Sequence, residues 1–217
     1  MANIFEEEHA ARCARGRVVV IDDDRAIVAA LSALLEMEGY ACETHASAEA
    51  YLHVLSYNSP SFPGPFCVLC DMKMPGMNGL ELQSRLAALH HAPLLFMSGG
   101  SGINEAVHGF RGGAVDFLVK PIEADRLLAA VASALDVSRE RQQQQHRRSE
   151  LRLRVASLSE RELTVARSVA QGRTNAEIGQ DMGIALRTVK LHRHRAMDKL
   201  QVQTVVDLGR IADEAGL

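Results

Sequence analysis

Residues 17–24 read RVVVIDDD, a β-branched run that begins with a cation and ends with three carboxylates. Short apolar runs bounded by charged residues are typical of strands buried in a parallel sheet. Asp24 stands where it can cap a following helix, and apolar residues then recur at helical spacing up to Gly39. The stretch therefore predicts a strand followed by a helix.

The same alternation repeats along the next hundred residues. Four further stretches predict strands, at residues 40–44, 66–70, 93–97 and 115–119. Helical spacing predicts four further helices, at residues 47–57, 79–90, 103–111 and after Pro121. Five alternating strands and helices predict an α/β domain with a doubly wound, mostly parallel, five-stranded sheet.

Polar residues follow four of the predicted strands. They are Asp22 and Asp23 after the first strand, Asp71 after the third, Ser98 after the fourth and Lys120 after the fifth. The carboxyl ends of the strands are where α/β sheets bind ligands, so we expect these side chains to lie together. Three neighbouring carboxylates repel one another unless a divalent cation lies among them, and oxygen ligands suit Mg²⁺. A carboxylate held in this way can attack a phosphoryl group, with Lys120 and Ser98 binding the phosphoryl oxygens.

Charge is distributed unevenly along the chain. Residues 1–136 carry 9 Lys and Arg against 17 Asp and Glu, whereas residues 137–156 carry 6 arginines against 2 glutamates. The segment 138–149, SRERQQQQHRRS, has no apolar residue, so we expect it to lie outside any core and to mark a domain boundary. No apolar run reaches the ~18–20 residues of a membrane span, and the acidic N-terminus lacks the apolar part of a secretory signal. The sequence therefore predicts a cytoplasmic protein without membrane contact.

The last third of the chain has a different pattern. Ser159 and Glu162 form a capping-box signature that opens a helix. Residues 175–182 predict a short second helix, Gly183 a tight turn, and residues 186–200 a third, cationic helix. This arrangement is typical of a helix-turn-helix unit that binds DNA. Taken alone, the charged face of the third helix is equally typical of a solvated surface.

Four motifs in the first part resemble the receiver domain of two-component response regulators. They are VVVIDDD at 18–24, VLCDMKMPGMNGLEL at 68–82, LLFMSGG at 94–100 and VDFLVKP at 115–121. The resemblance implies that a sensor histidine kinase phosphorylates Asp71. It implies Mg²⁺ ligation by Asp22, Asp23, Asp71 and the backbone carbonyl of Lys73. It also implies switch and phosphoryl-contact roles for Ser98, Phe117 and Lys120.

The last third resembles the LuxR-type DNA-binding domain of the FixJ/NarL class. The resemblance rests on LSERE, NAEIG and RTVKLHRHRAMDKL, between residues 158 and 200. It implies base contacts in double-stranded DNA by Lys190, Leu191 and His194, and phosphate contacts by Arg187, Thr188 and Arg193. Residues 204–215 would form a dimerisation helix. Ala185 stands where the family often has Ser or Thr, so we expect the third helix to begin without a side-chain cap.

Together the two resemblances predict four segments. They are an N-terminal extension (1–16), a receiver domain (17–135), a helical linker (136–156) and an all-α helix-turn-helix domain (157–217). The predicted function is a phosphorylation-controlled transcriptional regulator, not an enzyme, that forms a homodimer on activation and binds its operator.

Two alternatives stay open at this point. An aspartate-nucleophile phosphohydrolase shares the chemistry predicted for Asp71, but such enzymes usually carry an acid two residues later, where this chain has Lys73. A receiver that signals through protein contacts alone would make the last third vestigial. The cationic third helix argues against that second alternative.

Overall fold

The structure is a computed structural model that describes residues 15–57, 64–88, 92–100 and 103–215. Within these ranges the chain divides into two compact units, with the division after Gln142. Residues 1–14 of the predicted N-terminal extension lie outside the described residues. So do residues 89 and 90, the last two of the helix predicted at 79–90. Among the described helices, none combines the length and the apolar character needed to cross a membrane.

The first unit contains a five-stranded parallel sheet. Its strands are β1 (Arg17–Ile21), β2 (Ala41–His45), β3 (Phe66–Asp71), β4 (Leu94–Ser98) and β5 (Asp116–Val119). The helices that follow them are α1 (Arg25–Met37), α2 (Ala48–Tyr57), α3 (Gly79–Ala88), α4 (Ile103–Arg111) and α5 (Ala124–Ala156). The strand order is β2-β1-β3-β4-β5, and every pair is parallel. The doubly wound α/β fold predicted for this part is therefore confirmed.

Both faces of the sheet are covered. Successive residues of a strand point to opposite faces, so Val18 belongs to one buried cluster and Val19 to the other. The turn after β1 is fixed by Asp24, whose Oδ1 accepts hydrogen bonds from the N–H groups of Ala26 at 2.8 Å and Ile27 at 3.4 Å. Asp24 is thus the N-cap of α1, as predicted.

Helix α5 continues for 33 residues, so residues 136–156 are helical as predicted. The expectation that residues 138–149 lie outside any core is wrong at Ser138, which is only 3% exposed. Its Oγ accepts a hydrogen bond from the N–H of Phe66 at 3.1 Å. One turn further on, the side-chain amide of Gln142 donates to the carbonyl of Gly64 at 2.8 Å. Polar side chains therefore extend the packing of the first unit beyond Val137, the last apolar residue in that unit's part of the helix.

The second unit begins with the last turns of α5 and contains four more helices. They are α6 (Glu160–Ala170), α7 (Asn175–Met182), α8 (Leu186–Leu200) and α9 (Val205–Ala215). Gly183, with φ of 63° and ψ of 32°, makes the left-handed turn between α7 and α8. Ala185 stands at the N-cap of α8 and supplies no side-chain hydrogen bond, as predicted. Helices α7 and α8 therefore have the predicted helix-turn-helix order.

Glu162 ties the start of α6 to the end of α8. Its side chain is buried, and its Oε2 accepts hydrogen bonds from Lys199 Nζ at 2.6 Å and from the N–H of Ser159 at 2.9 Å. The two hydrogen bonds lower the pKa of Glu162 to about 2, and the bond from Lys199 contributes the larger share. Lys199 Nζ also donates to the carbonyl of Ser157 at 3.0 Å. The predicted capping box is confirmed, and it doubles as a tertiary contact.

We expect Glu162→Gln to lower the free energy of unfolding of the second unit by about 2 kcal/mol near neutral pH, because it removes a charge-assisted hydrogen bond at a buried site. The pKa of Glu162 in the folded state lies below its ordinary value of 4.5. The stabilisation is therefore fully present above pH 4.5 and is lost as the pH falls towards about 2. The variant should lack this part of the acid dependence.

Denaturant unfolding followed by far-UV circular dichroism measures this effect. All three tyrosines, Tyr40, Tyr51 and Tyr57, lie in the first unit, so tyrosine fluorescence reports the other transition separately. Glu160→Gln is the matched control, since Glu160 is an exposed residue of the same helical turn. Equal acid sensitivity of Glu162→Gln and the wild type would contradict the assignment.

Candidate functional site

The carboxyl ends of the strands open into a cavity of about 410 Å³. The cavity brings together residues that the sequence places far apart: Asp22, Asp23, Asp71, Lys73 and Lys120, together with Asp24, Ile27, Gly99 and Gly100. Asp71 is the last residue of β3, and Asp22 and Lys120 directly follow β1 and β5. The predicted convergence of these side chains at one edge of the sheet is therefore observed.

Lys120 lies between the two buried carboxylates of the cavity. Its Nζ donates to Asp22 Oδ2 at 2.6 Å and to Asp71 Oδ1 at 2.6 Å. The two aspartates are only 2% and 6% exposed. Burial works against the charged ammonium, but the hydrogen bonds to Asp22 and Asp71 outweigh it and raise the pKa of Lys120. The ammonium therefore stays charged at neutral pH and offsets the repulsion between the carboxylates.

Backbone N–H groups fix the other oxygen of each carboxylate. Asp22 Oδ1 accepts from the N–H of Asp24 at 2.9 Å, and Asp71 Oδ2 accepts from the N–H of Lys73 at 2.8 Å. A carboxylate oxygen can accept more than one hydrogen bond or metal contact. Both aspartates are thus held in one orientation and keep capacity to bind a further cation or to react.

The chemistry of these donors suits Mg²⁺, which prefers oxygen ligands. Asp22 and Asp71 are buried side by side, whereas Asp23 is exposed on the same cavity. Over the described ranges of the chain, no three His, Cys, Asp or Glu side chains are grouped closely enough to form a ready-made metal cluster. The donors therefore fit the ion in chemical type.

The two predicted switch residues, Ser98 and Phe117, are not among the residues that line this cavity, although Ser98 directly precedes Gly99, which does. Ser98, the last residue of β4, is buried, and its hydroxyl donates to the carbonyl of Gly100 at 3.3 Å. The hydroxyl also accepts from the N–H of Gly100 at 3.4 Å. Phe117 of β5 is half-buried and packs against the cluster that contains Phe96. The serine hydroxyl is therefore directed to its own loop, and the aromatic ring is only partly enclosed.

Helix α8 separates the predicted DNA-contacting residues from a buried face. Val189, Ala196 and Leu200 belong to the core of the second unit. The contact residues divide by exposure: Arg187, Lys190, Leu191 and His194 are exposed, and Thr188 and Arg193 are half-buried. Four of the six side chains are thus accessible to a macromolecule.

Three residues of these sites went unnoticed in the sequence. Asn175 Oδ1 accepts from the Arg193 guanidinium at 3.3 Å and so helps to orient it, but the two residues lie on different helices and show no local signal. Thr174 and Glu177 form a second capping box, which the spacing of the two residues could have revealed. It fixes the start of α7 and hence the position of Asn175.

Two family models match the chain, one for each unit. Residues 18–132 match the response regulator receiver domain. Residues 156–212 match the luxR family of bacterial regulatory proteins. The matched residues include the cavity of the first unit and the helix-turn-helix of the second.

Known proteins with similar sequences match over nearly their whole length. The transcriptional regulatory protein FixJ of Azorhizobium caulinodans is 38% identical over 201 residues, which covers 92% of this chain and 93% of that protein. The response regulator protein TmoT of Ectopseudomonas mendocina is 35% identical over 197 residues, with 90% and 87% covered. Among solved structures, the response regulator StyR superposes with a TM-score of 0.78 at 34% identity, with 91% and 98% covered.

Proposed function

The chain belongs to the two-component response regulators that join a receiver domain to a LuxR-type DNA-binding domain, and from this premise we propose that Asp71 accepts a phosphoryl group from a sensor histidine kinase. The protein is therefore a phosphorylation-controlled transcription regulator. The observation that carries the proposal for Asp71 is its position. It is a buried carboxylate on the cavity, held by Lys120 on one oxygen and by the N–H of Lys73 on the other.

The proposed transfer uses an oxygen of Asp71 as the nucleophile. A bond forms between this oxygen and phosphorus while the bond from phosphorus to the kinase imidazole breaks, and the released imidazole takes up a proton from water. Lys120 then binds the phosphoryl oxygens, since its ammonium already contacts Asp71 Oδ1. The Ser98 hydroxyl leaves Gly100 and donates to another phosphoryl oxygen, and Phe117 follows into the space that the hydroxyl vacates.

Mg²⁺ would be held by Asp22, Asp23, Asp71 and the backbone carbonyl of Lys73. When bound, the ion supplies positive charge that stabilises the phosphoryl oxygens during transfer. The buried pair Asp22 and Asp71 would provide the fixed part of this site, and the exposed Asp23 would complete it.

The proposed DNA reader is α8, which we call the recognition helix. Lys190, Leu191 and His194 face base edges in the major groove, and Arg187, Thr188 and Arg193 contact phosphates. The contact from Asn175 keeps the Arg193 guanidinium in place before DNA arrives.

The proposal includes a homodimer that forms on phosphorylation. Helix α9 carries Val205 and Val206 on its surface, 39% and 82% exposed, which suits a contact between two DNA-binding domains. Two linked recognition helices bind two half-sites more tightly, because the second binds at a high effective concentration. We place the protein in the cytoplasm, with the receiver at 17–135, the linker at 136–156 and the DNA-binding domain at 157–217.

Catalytic turnover is not part of the proposed function. Phosphohydrolases with an aspartate nucleophile usually carry a carboxylic acid two residues further on, which serves as general acid and base. Lys73 occupies that position and lines the cavity. A cation there cannot take the proton that such a reaction must move.

We expect beryllofluoride, which mimics the phosphoryl group on an aspartate, to convert the full-length protein from monomer to dimer and to strengthen its binding to DNA. Light scattering measures the mass, and fluorescence anisotropy measures binding to a duplex selected from a random library. In the loaded protein, Lys190→Ala should weaken binding to the selected duplex roughly tenfold or more, because one base contact is lost. Phosphorylation of Asp71 in this variant should be normal.

Arg193→Ala is the contrasting variant. It should weaken binding to selected and unrelated duplexes alike and lower the salt slope by about one unit. Normal binding of Lys190→Ala to the selected duplex would show that α8 is not the reader. An equally tight dimer with and without beryllofluoride would show that phosphorylation does not act through dimerisation.

A further inference from the structure

Four arginines lie in the part of α5 that belongs to the second unit. They are Arg147, Arg148, Arg152 and Arg154. Arg154 has an acidic neighbour, Glu150, at 4.0 Å. The other three are exposed, and within the part of the chain that the structure describes they have no ion pair and no side-chain hydrogen bond. Three guanidinium groups are therefore left to solvent or to a partner.

The helix that carries these arginines is anchored to the second unit. Leu151 is buried, and Val155 packs against the core that contains Val165 and Val189. With 3.6 residues per turn, Arg148 and Arg152 lie one turn apart beside the row formed by Leu151 and Val155, and Arg147 lies on the other side of that row. The cations are thus presented from a docked helix and flank its buried face.

The end of this helix lies next to the end of α8. The carbonyl of Ser157, directly after α5, accepts a hydrogen bond from Lys199 in the last turn of α8 at 3.0 Å. In helix-turn-helix proteins the recognition helix enters the major groove, and the elements around it contact the flanking phosphates. The arginines of α5 therefore belong to the same unit as α8, on a helix whose C-terminal end lies beside the C-terminal end of α8.

We propose that Arg147, Arg148 and Arg152 bind phosphates of double-stranded DNA outside the base pairs that α8 reads. The proposal rests on the proposed function of α8. Arginine is suited to this contact, because its guanidinium is weakly hydrated and can donate two parallel hydrogen bonds to one phosphate. No carboxylate of the described chain pairs with these three guanidinium groups, so no internal ion pair has to be broken before they bind phosphate. The linker thus lengthens the DNA footprint without adding sequence preference.

The salt dependence of binding measures these contacts directly. Each neutralised phosphate releases condensed counterions and contributes about 0.9 to the slope of log K against log salt concentration. Three phosphates therefore contribute about 2.7 units. A contribution of this kind is the same for a selected duplex and for an unrelated one.

The test compares two triple variants of the full-length, beryllofluoride-loaded protein on a mixed-sequence duplex of about three helical turns. In Arg147→Gln/Arg148→Gln/Arg152→Gln the charge is lost but helix propensity is kept. In Arg147→Lys/Arg148→Lys/Arg152→Lys the charge is also kept. We expect the glutamine triple to lower the salt slope by about 2–3 units and the lysine triple to match the wild type. The ratio of affinities for selected and unrelated duplexes should be unchanged in both.

A wild-type salt slope in the glutamine triple would overturn the proposal. So would an equal loss in the lysine triple, because the effect would then not be one of charge. If the glutamine triple keeps its slope but loses the mass change caused by beryllofluoride, the arginines bind acidic residues of a second copy, and the proposal is wrong. A failure of the wild type to bind any duplex would instead refute the proposed function, and Lys190→Ala tests the reader independently.

Discussion

Asp71→Asn is expected to abolish incorporation of phosphate from acetyl phosphate, as measured by mass spectrometry of the intact protein. The amide that replaces the carboxylate is not a nucleophile, and it is a weaker ligand for Mg²⁺. The substitution keeps the size of the side chain, and an amide oxygen can still accept from the N–H of Lys73, which now bonds to Asp71 Oδ2. We therefore expect a folded protein that is not labelled at all.

Asp24→Asn is the matched control for this experiment. Asp24 lines the same cavity and caps α1, and asparagine is as good an N-cap as aspartate. This variant should be labelled normally. Wild-type labelling of Asp71→Asn would show that Asp22 or Asp23 is the nucleophile. Equal loss in both variants would show that the total negative charge of the cavity decides the reaction.

Lys120→Met should lower the free energy of unfolding of the receiver by about 3 kcal/mol in buffer without Mg²⁺. Methionine keeps most of the aliphatic stem but removes the ammonium that bridges Asp22 and Asp71. Two buried carboxylates are then left side by side without a counterion. Denaturant unfolding followed by tyrosine fluorescence isolates this unit, because all three tyrosines of the chain lie between residues 40 and 57.

Two additions separate repulsion from lost packing in this variant. A second substitution, Asp22→Asn, removes one of the two charges and should restore most of the lost stability. Added Mg²⁺ should restore part of it in the single variant, because a ligand that binds the folded state stabilises that state. If Lys120→Met is as stable as the wild type, the ammonium does not balance the carboxylates. If neither addition helps, the loss comes from packing.

The elements that could be predicted from the sequence are those whose local pattern agrees with their surroundings. The apolar run before Asp22 is buried on both faces of the sheet, and the Asp24 cap begins the next helix where the sequence places it. The exact bounds of an element are harder to predict: the second strand spans Ala41–His45, one residue later than the predicted 40–44. Strand order has no local signature in the sequence, and the order β2-β1-β3-β4-β5 is seen only in the structure.

The contacts that could not be predicted join residues that are distant in sequence. Ser138 is polar, and only the nearness of the Phe66 N–H makes its burial favourable. Glu162 carries a recognisable capping signal, but nothing local indicates that Lys199 approaches it. The candidate site divides in the same way. The cavity residues could be predicted because they stand at the ends of predicted strands. The position of Lys120 between Asp22 and Asp71 could not, because it depends on how β1, β3 and β5 are placed relative to one another.

The hydrogen bonds that Ser138 and Gln142 make with the first unit affect where a receiver can be fused to a different output domain. Exchange of output domains between relatives keeps both hydrogen bonds only when the crossover falls after Gln142. A junction directly after Leu135 removes both Ser138, which accepts from the N–H of Phe66, and Gln142, which donates to the carbonyl of Gly64. The net loss of one intramolecular hydrogen bond costs about 0.5–1.5 kcal/mol. Chimeras joined at the later position should therefore retain a more stable input domain, and recombination during evolution faces the same constraint.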